Sequence, residues 1–210
     1  MGIHNYFKSL SDLEGINRCP GKFKYQEHSV ASHSFKVTKI AQFLATVEEA
    51  DGTVIDWKRL YEKAINHDYA ELFTGDIKTP VKYAMPELKE LFSQVEDMMI
   101  KNFIEKEFPA EFQSIYHERF AEGKDESIEG RILAVADKID LLYESFGEIQ
   151  RGNPEPLFLE IYQEALSTIL KFQEMPCVQY FVENILQEML EEGVIPYSQI
   201  YKLTKNILGR

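Results

Sequence analysis

Four residues invite a chemical explanation: His33, the doublet His67-Asp68, and Asp137. Each falls in a stretch whose apolar residues recur at helical spacing. There an ionisable side chain needs a partner, since even a neutral polar group buried alone costs on the order of 2 to 7 kcal/mol. Taken singly, each is explained by a hydrogen-bonded core residue. Taken together, two imidazoles and two carboxylates form a mixed N/O ligand set. Such a set suits one divalent transition metal (Co, Mn, Ni, Fe or Zn, with Mg possible) and leaves positions open for water, whereas a structural zinc is normally closed by thiolates. A shared ion gives separate helices one common reason to turn His or Asp inward. The chemistry that follows is hydrolysis. A bound divalent ion lowers the pKa of water from about 15.7 toward roughly 7 and polarises a phosphoryl oxygen.

Around the four lie further candidates. Glu71 stands four residues after His67, so on a continuous helix its carboxylate reaches the same site as a base or orienting group; the other reading is a solvated surface residue. Asp76 follows Gly75 and either protonates a departing oxygen, helps hold the attacking water, or serves only the turn. Arg18 offers a planar fork for two phosphate oxygens and Lys82 a point charge. His28 assists a phosphate or lines the loop, His117 stands alone between the doublet and Asp137, and His4 has no evident partner. Ser29, Ser32 and Ser34 sit in no G-x-S-x-G turn and are explained by helix capping.

The elements that must position these groups read as helices throughout. From Ser32, a plausible N-cap, to Glu49, His33, Val37, Ile40, Ala41 and Leu44 share a stripe. A second helix is predicted from about Asp56 to Phe73, ending at Thr74-Gly75. Pro86 opens a third ending near Phe108, and another runs from Pro109 or Ala110 to about Glu122. From Ser127 to about Gln150 apolar residues occupy more than one face, as in a central buried helix. Two or three more follow, at roughly 155–172, 177–192 and 197–208. Alternating strand patterns are nearly absent, so the expected fold is all-α with about 8 to 10 helices.

Bulk properties narrow the function. At 210 residues with 44% hydrophobic content, one domain with one core is expected, spanning 1–210, with a metal-site part near 15–145 and C-terminal helices packed on it. A formal charge of -12 opposes any sequence-independent grip on a nucleic-acid polymer, though a small anion remains possible where a metal and local cations reverse the field. Cys19 and Cys177 stand far apart and suggest neither a disulfide framework nor a zinc knuckle, which fits a reducing cytoplasm. No stretch reads as a membrane span or export signal.

The order His33, His67-Asp68, Asp137 resembles the HD-domain metal phosphohydrolases. The run His67-Asp68-Tyr69-Ala70-Glu71-Leu72-Phe73-Thr74-Gly75-Asp76-Ile77-Lys78-Thr79-Pro80-Val81-Lys82-Tyr83 resembles, more narrowly, the YfbR-like 5'-deoxynucleotidases, which also carry an Arg ahead of the first metal His, as Arg18 does here. The likeness covers roughly residues 15–145. It implies an HD-domain helical bundle that removes the 5'-phosphate from (deoxy)nucleoside monophosphates. In it His33, His67, Asp68 and Asp137 hold the metal, and Glu71, Asp76 and Arg18 are catalytic. Arg18, Lys82, Thr79 and Asp76 bind substrate, and two copies form a homodimer.

Two positions depart from that pattern. Cys19 stands where the family has an aromatic residue, usually Trp, that can crowd the sugar's 2' position, so selectivity for deoxyribose is open. Ser32 replaces a common Glu before His33, a change that alters the cap rather than the ligands. Cys19 also admits a redox reading beside Arg18 and Lys22. Competing classes are an HD hydrolase of nucleoside triphosphates or another small phosphate ester, a diiron oxygenase, which needs more histidines than His117 supplies, and a non-catalytic metal-binding domain. The HD-GYP signature of cyclic-dinucleotide enzymes is missing, since Tyr69-Ala70-Glu71 follows the doublet.

Overall fold

The computed structural model describes residues 2–77, 85–121, 123–192 and 197–209, apart from the side chains of 197 and 198. Among these every regular element is helical, as expected. The helices are α1 (Ile3–Glu14), α2 (Val30–Ala50), α3 (Trp57–Asn66), the single turn α4 (Glu71–Thr74), α5 (Pro86–Glu107), α6 (Ala110–Ala121), α7 (Ile128–Gln150) and α8 (Leu157–Ile169). A 3-10 turn at Leu170–Phe172 leads to α9 (Pro176–Tyr180), the π-wound Phe181–Ile185, α10 (Leu186–Glu191) and α11 (Tyr197–Ile207). No helix among the described residues is long and apolar enough to cross a membrane.

The helix starts follow from capping chemistry. α2 begins three residues earlier than the sequence pattern suggests: Ser29 is the N-cap and accepts from the Ser32 N–H, while the Ser32 hydroxyl accepts from the Ser29 N–H. Ser32 therefore fills the back-bonding position of a capping box rather than the cap. Asp56 caps α3 by accepting from the Arg59 N–H at 3.0 Å, and Ser127 caps α7 by accepting from Gly130.

One predicted helix is broken. The segment expected to run from Asp56 to Phe73 stops as an α-helix at Asn66. Through 67–70 the chain winds tighter, with the Tyr69, Glu71, Leu72 and Phe73 N–H groups bonding three residues back to Asn66, Asp68, Tyr69 and Ala70. Gly75, at φ 71°, ends the segment in the left-handed region that favours glycine.

α7 is the axis of the main core, packed between α2 and α8. Its Ile132, Leu133, Val135, Ala136, Ile139 and Leu142 are buried together with Val37, Ala41 and Leu44 of α2 and Tyr162, Leu166 and Ile169 of α8. Truncating one such leucine to alanine costs about 2–5 kcal/mol in a well-packed core. A second, largely aromatic cluster gathers Leu13, Val30, Tyr69, Ile104, Phe108 and Phe120, with Tyr69 stacked on Phe120 at 4.4 Å between ring centres. The His67-Asp68 doublet lies between Ala64, in the first cluster, and Tyr69, in the second.

The loop between α1 and α2 is closed on itself. The Arg18 N–H donates to the His28 carbonyl at 2.8 Å and the Val30 N–H to the Ile16 carbonyl at 2.9 Å. Glu148, buried on α7, accepts from the Tyr25 and Gln26 N–H groups at 2.9 Å each. Backbone donors with no helix of their own are thereby satisfied, and the Arg18 backbone is tied to the residue just before the α2 cap.

Candidate metal and phosphate site

The buried stripe of α2 presents His33, fully excluded from solvent, to α7. Its Nδ1 lies 2.7 Å from Asp140 Oδ2. On its other edge Nε2 is 3.2 Å from His67 Nε2, 3.2 Å from Asp137 Oδ1 and 3.3 Å from Asp68 Oδ2. His67 Nδ1 lies 2.9 Å from the Ala64 carbonyl, which can only accept, so the ring carries its hydrogen there and turns the Nε2 lone pair inward. Asp68 Oδ2 completes the group at 3.3 Å from His67 Nε2. All four expected ligands are thus brought together.

Two inward nitrogen lone pairs beside two carboxylates repel one another unless something positive sits among them. Burial alone would lower the pKa of His33, yet the carboxylates of Asp137, Asp140 and Asp68 push it up to about 10. Asp68 and Asp137 are held well below the usual carboxylate range: burial opposes this but is outweighed by His67 and His33 around Asp68, and by Lys124 and His33 around Asp137. Donor separations of 3.2–3.3 Å also fit atoms sharing one centre at about 2.0–2.2 Å. His33, His67 and Asp68 could therefore hold a metal ion. Asp137 adjoins them, its second oxygen 2.8 Å from Lys124 Nζ and 3.4 Å from Lys138 Nζ.

Glu71 starts the short α4 beyond the tight turn, not on the helix of His67, and still reaches the site. Its Oε2 is buried with no hydrogen-bond partner, and burial together with Asp68 and Asp76 holds this carboxyl well above the usual range. A buried oxygen left without a partner is one that a bound ligand or water would satisfy. Arg18 lies 3.4 Å from Asp68 Oδ2 through Nη1 and 3.5 Å from Glu144 Oε2 through Nε. Asp76 accepts from the Cys19 N–H at 2.6 Å, which joins the arginine loop to the segment after α4. Thr79 and Lys82 lie outside the described residues.

The structure adds groups the sequence pattern passed over. Asp140 and Glu144 are buried on α7, and Lys36 of α2 bridges them at 2.9 and 3.0 Å. His28 lies 3.6 Å from Glu144, so the loop histidine does turn toward this network. The signal was present in the spacing, since Asp140 follows Asp137 by one helical turn. The redox reading of Cys19 loses support, because burial and then Asp76 push its thiol up, away from the reactive thiolate.

With the geometry in place, the relatives are informative. A family model described as 5'-deoxynucleotidase YfbR-like matches residues 5–189, well beyond the 15–145 stretch whose motifs are visible in the sequence. A 5'-deoxynucleotidase of Erwinia tasmaniensis is 30% identical over 183 residues, covering 86% of this chain and 90% of its own length. The 5'-deoxynucleotidase YfbR of Escherichia coli strain UTI89 is 28% identical over 180 residues, covering 85% and 88%. An HD-domain phosphohydrolase crystal structure from Listeria innocua superposes with a TM-score of 0.94 at 62% identity, covering 100% of this chain and 99% of that one. The HD phosphohydrolase DatZ of cyanophage S-2L, described as bound to dA and one catalytic Zn2+ ion, shares the fold at a TM-score of 0.64 and 15% identity, covering 87% and 95%.

Proposed function

This chain belongs to the YfbR-like 5'-deoxynucleotidase family, and on that premise we propose that it is a metal-dependent phosphomonoesterase that removes the 5'-phosphate from (deoxy)nucleoside monophosphates. The observation that carries the reading is the convergence of the His33 and His67 Nε2 atoms with the carboxylates of Asp68 and Asp137, with Arg18 set against the same Asp68. His33, His67, Asp68 and Asp137 would hold one divalent cation, of Co, Mn, Ni, Fe or Zn, with Mg possible. When bound, such an ion supplies an activated water and polarises a phosphoryl oxygen.

The remaining work falls to the chain's own groups. Arg18 binds the phosphate through its planar fork, and its loop is already pinned by the His28 carbonyl and by Asp76. Glu71 holds or takes up a proton at its unpartnered Oε2, which its raised pKa suits. Asp76 either helps hold the attacking water or passes the proton that this water gives up on to the departing sugar oxygen as the phosphorus–oxygen bond breaks. Thr79 and Lys82 extend the phosphate contacts. In this reading the whole chain is one HD domain in the reducing cytoplasm that its two separated cysteines suggest, acting as the homodimer that its resemblance to the family implies.

The test is phosphate release from purified, chelator-stripped protein resupplied with Mn, Co, Ni, Mg or Zn. Ribo- and deoxynucleoside mono- and triphosphates are compared, with His67→Ala and Glu71→Ala as controls. Monophosphate turnover that depends on metal and is lost in both variants is the expected result. No turnover of any nucleotide with any metal, or a His67→Ala protein as active as the parent, would sink the reading.

A further inference from the structure

We infer that Asp140 is a positioning residue that fixes the tautomer and ring angle of His33, with the Lys36 ammonium balancing the charge at its outer oxygen. The inference rests on His33 being a metal ligand, as proposed above. An imidazole can turn only one lone pair toward a cation, and which nitrogen does so is decided by the partner of the other. Here the other partner is Asp140 Oδ2, 2.7 Å from Nδ1, with both side chains buried. A carboxylate there accepts the Nδ1 hydrogen and leaves the Nε2 lone pair facing His67, Asp68 and Asp137.

The same helix supplies both halves of the arrangement. Asp137 and Asp140 are one turn apart on α7, so one rigid element sets the position of a ligand and the orientation of a second ligand from α2. His33, Asp140 and Glu144 are also spaced closely enough to hold a cation of their own. The Lys36 ammonium already lies 2.9 Å from Asp140 Oδ1 and 3.0 Å from Glu144 Oε1. It meets the need for positive charge there, and Asp140 is left to serve His33 rather than a second metal.

A purely structural Lys36–Asp140 ion pair makes different predictions, so the two roles are separable. Metal affinity is measured on the full chain by competition with a chromophoric chelator, using Zn2+ or Co2+. Asp140→Ala is expected to weaken affinity about 10- to 100-fold, the usual effect of removing an outer-shell partner of a ligating histidine. Asp140→Asn, which keeps an acceptor for Nδ1–H, should recover most of it, and Lys36→Met should change it only a few-fold while lowering the unfolding midpoint. Turnover of Asp140→Ala should return toward the parent's at saturating metal, as expected of a residue that acts through a ligand.

Folded Asp140→Ala with parental metal affinity would overturn the positioning role while leaving the metal site standing. Parent protein that binds no divalent ion would remove both. Should Asp140→Ala fail to fold, a long-range 1H–15N spectrum of the zinc-loaded parent decides. A His33 Nδ1–H resonance shifted downfield by a carboxylate acceptor is required, and an Nδ1–H with the shift of a solvated imidazole, or a protonated Nε2, refutes the idea.

Discussion

The backbone N–H of Cys19 donates to Asp76 Oδ2 at 2.6 Å while Cys19 itself sits at φ 51°, in the left-handed region. A non-glycine residue pays roughly 1–2 kcal/mol for that backbone conformation. The conformation is kept where it aims an N–H at the Asp76 carboxylate, which joins the arginine loop to the segment after α4. What matters at position 19 is therefore partly its backbone, whatever the side chain does to a sugar.

Substitutions at 19 should divide by backbone preference. Cys19→Gly is expected to unfold in urea at or slightly above the parent midpoint, since it relieves the left-handed cost. Cys19→Val, β-branched, should lose about 1–2 kcal/mol of stability. Equal midpoints for the two variants would show that the loop does not hold residue 19 in this conformation.

Arg18→Ala should reduce kcat/KM by about 10- to 100-fold, the loss of one charged hydrogen-bonding group. Arg18→Lys should fall between the alanine variant and the parent, because an ammonium keeps the charge but not the fork. Steady-state kinetics at saturating metal provide the check. A lysine variant matching the parent would mean that charge alone is used.

Stability below pH 4 should depend on Asp125. Its hydrogen bond with Lys63 and the Ser127 hydroxyl lower its pKa from 3.8 to about 2, against a small effect of burial. The folded pKa is depressed, so the stabilisation is complete above about pH 4 and is lost as pH falls toward 2. Thermal unfolding from pH 5 to 2 should show a steeper decline for the parent than for Asp125→Asn. Parallel curves would remove Asp125 as the cause.

The Ser9 hydroxyl lies 2.7 Å from the Tyr69 hydroxyl and also donates to the Tyr6 carbonyl at 2.6 Å. Ser9→Ala leaves a buried phenol without this partner and should cost about 1–3 kcal/mol. Tyr69→Phe should cost less, because the serine retains its carbonyl. A double-mutant cycle by urea denaturation measures the coupling, and a coupling near zero would mean that the pair does not stabilise α1 against the doublet's turn.

Much of this could be read from residue spacing. His33, Val37, Ala41 and Leu44 announce α2, and the run through Ile132, Leu133, Ala136 and Ile139 announces a helix buried on more than one side. The His67-Asp68 doublet was legible as a candidate because it ends an apolar stripe. The break after Asn66 was not, since no Gly or Pro marks it and the chain only tightens its winding. α1 escaped notice because Gly2 gives no side-chain cap and Phe7 and Leu10 are exposed. Asp140 and Glu144 looked incidental on a helix full of apolar residues; their partners Lys36 and Arg18 come from α2 and the loop before it, and no local pattern encodes a pairing across that separation.

The carboxylates at 137, 140, 144 and 148 of α7 face, in turn, His33 Nε2, His33 Nδ1, Arg18 and the loop's Tyr25 and Gln26 amides. One inserted or deleted residue within that stretch would rotate everything beyond it by about 100° around the helix axis. The change would sever several of these contacts at once. Within residues 137–148, descendants of this chain can therefore change by substitution but not by length, because only substitutions preserve the register on which these four contacts depend.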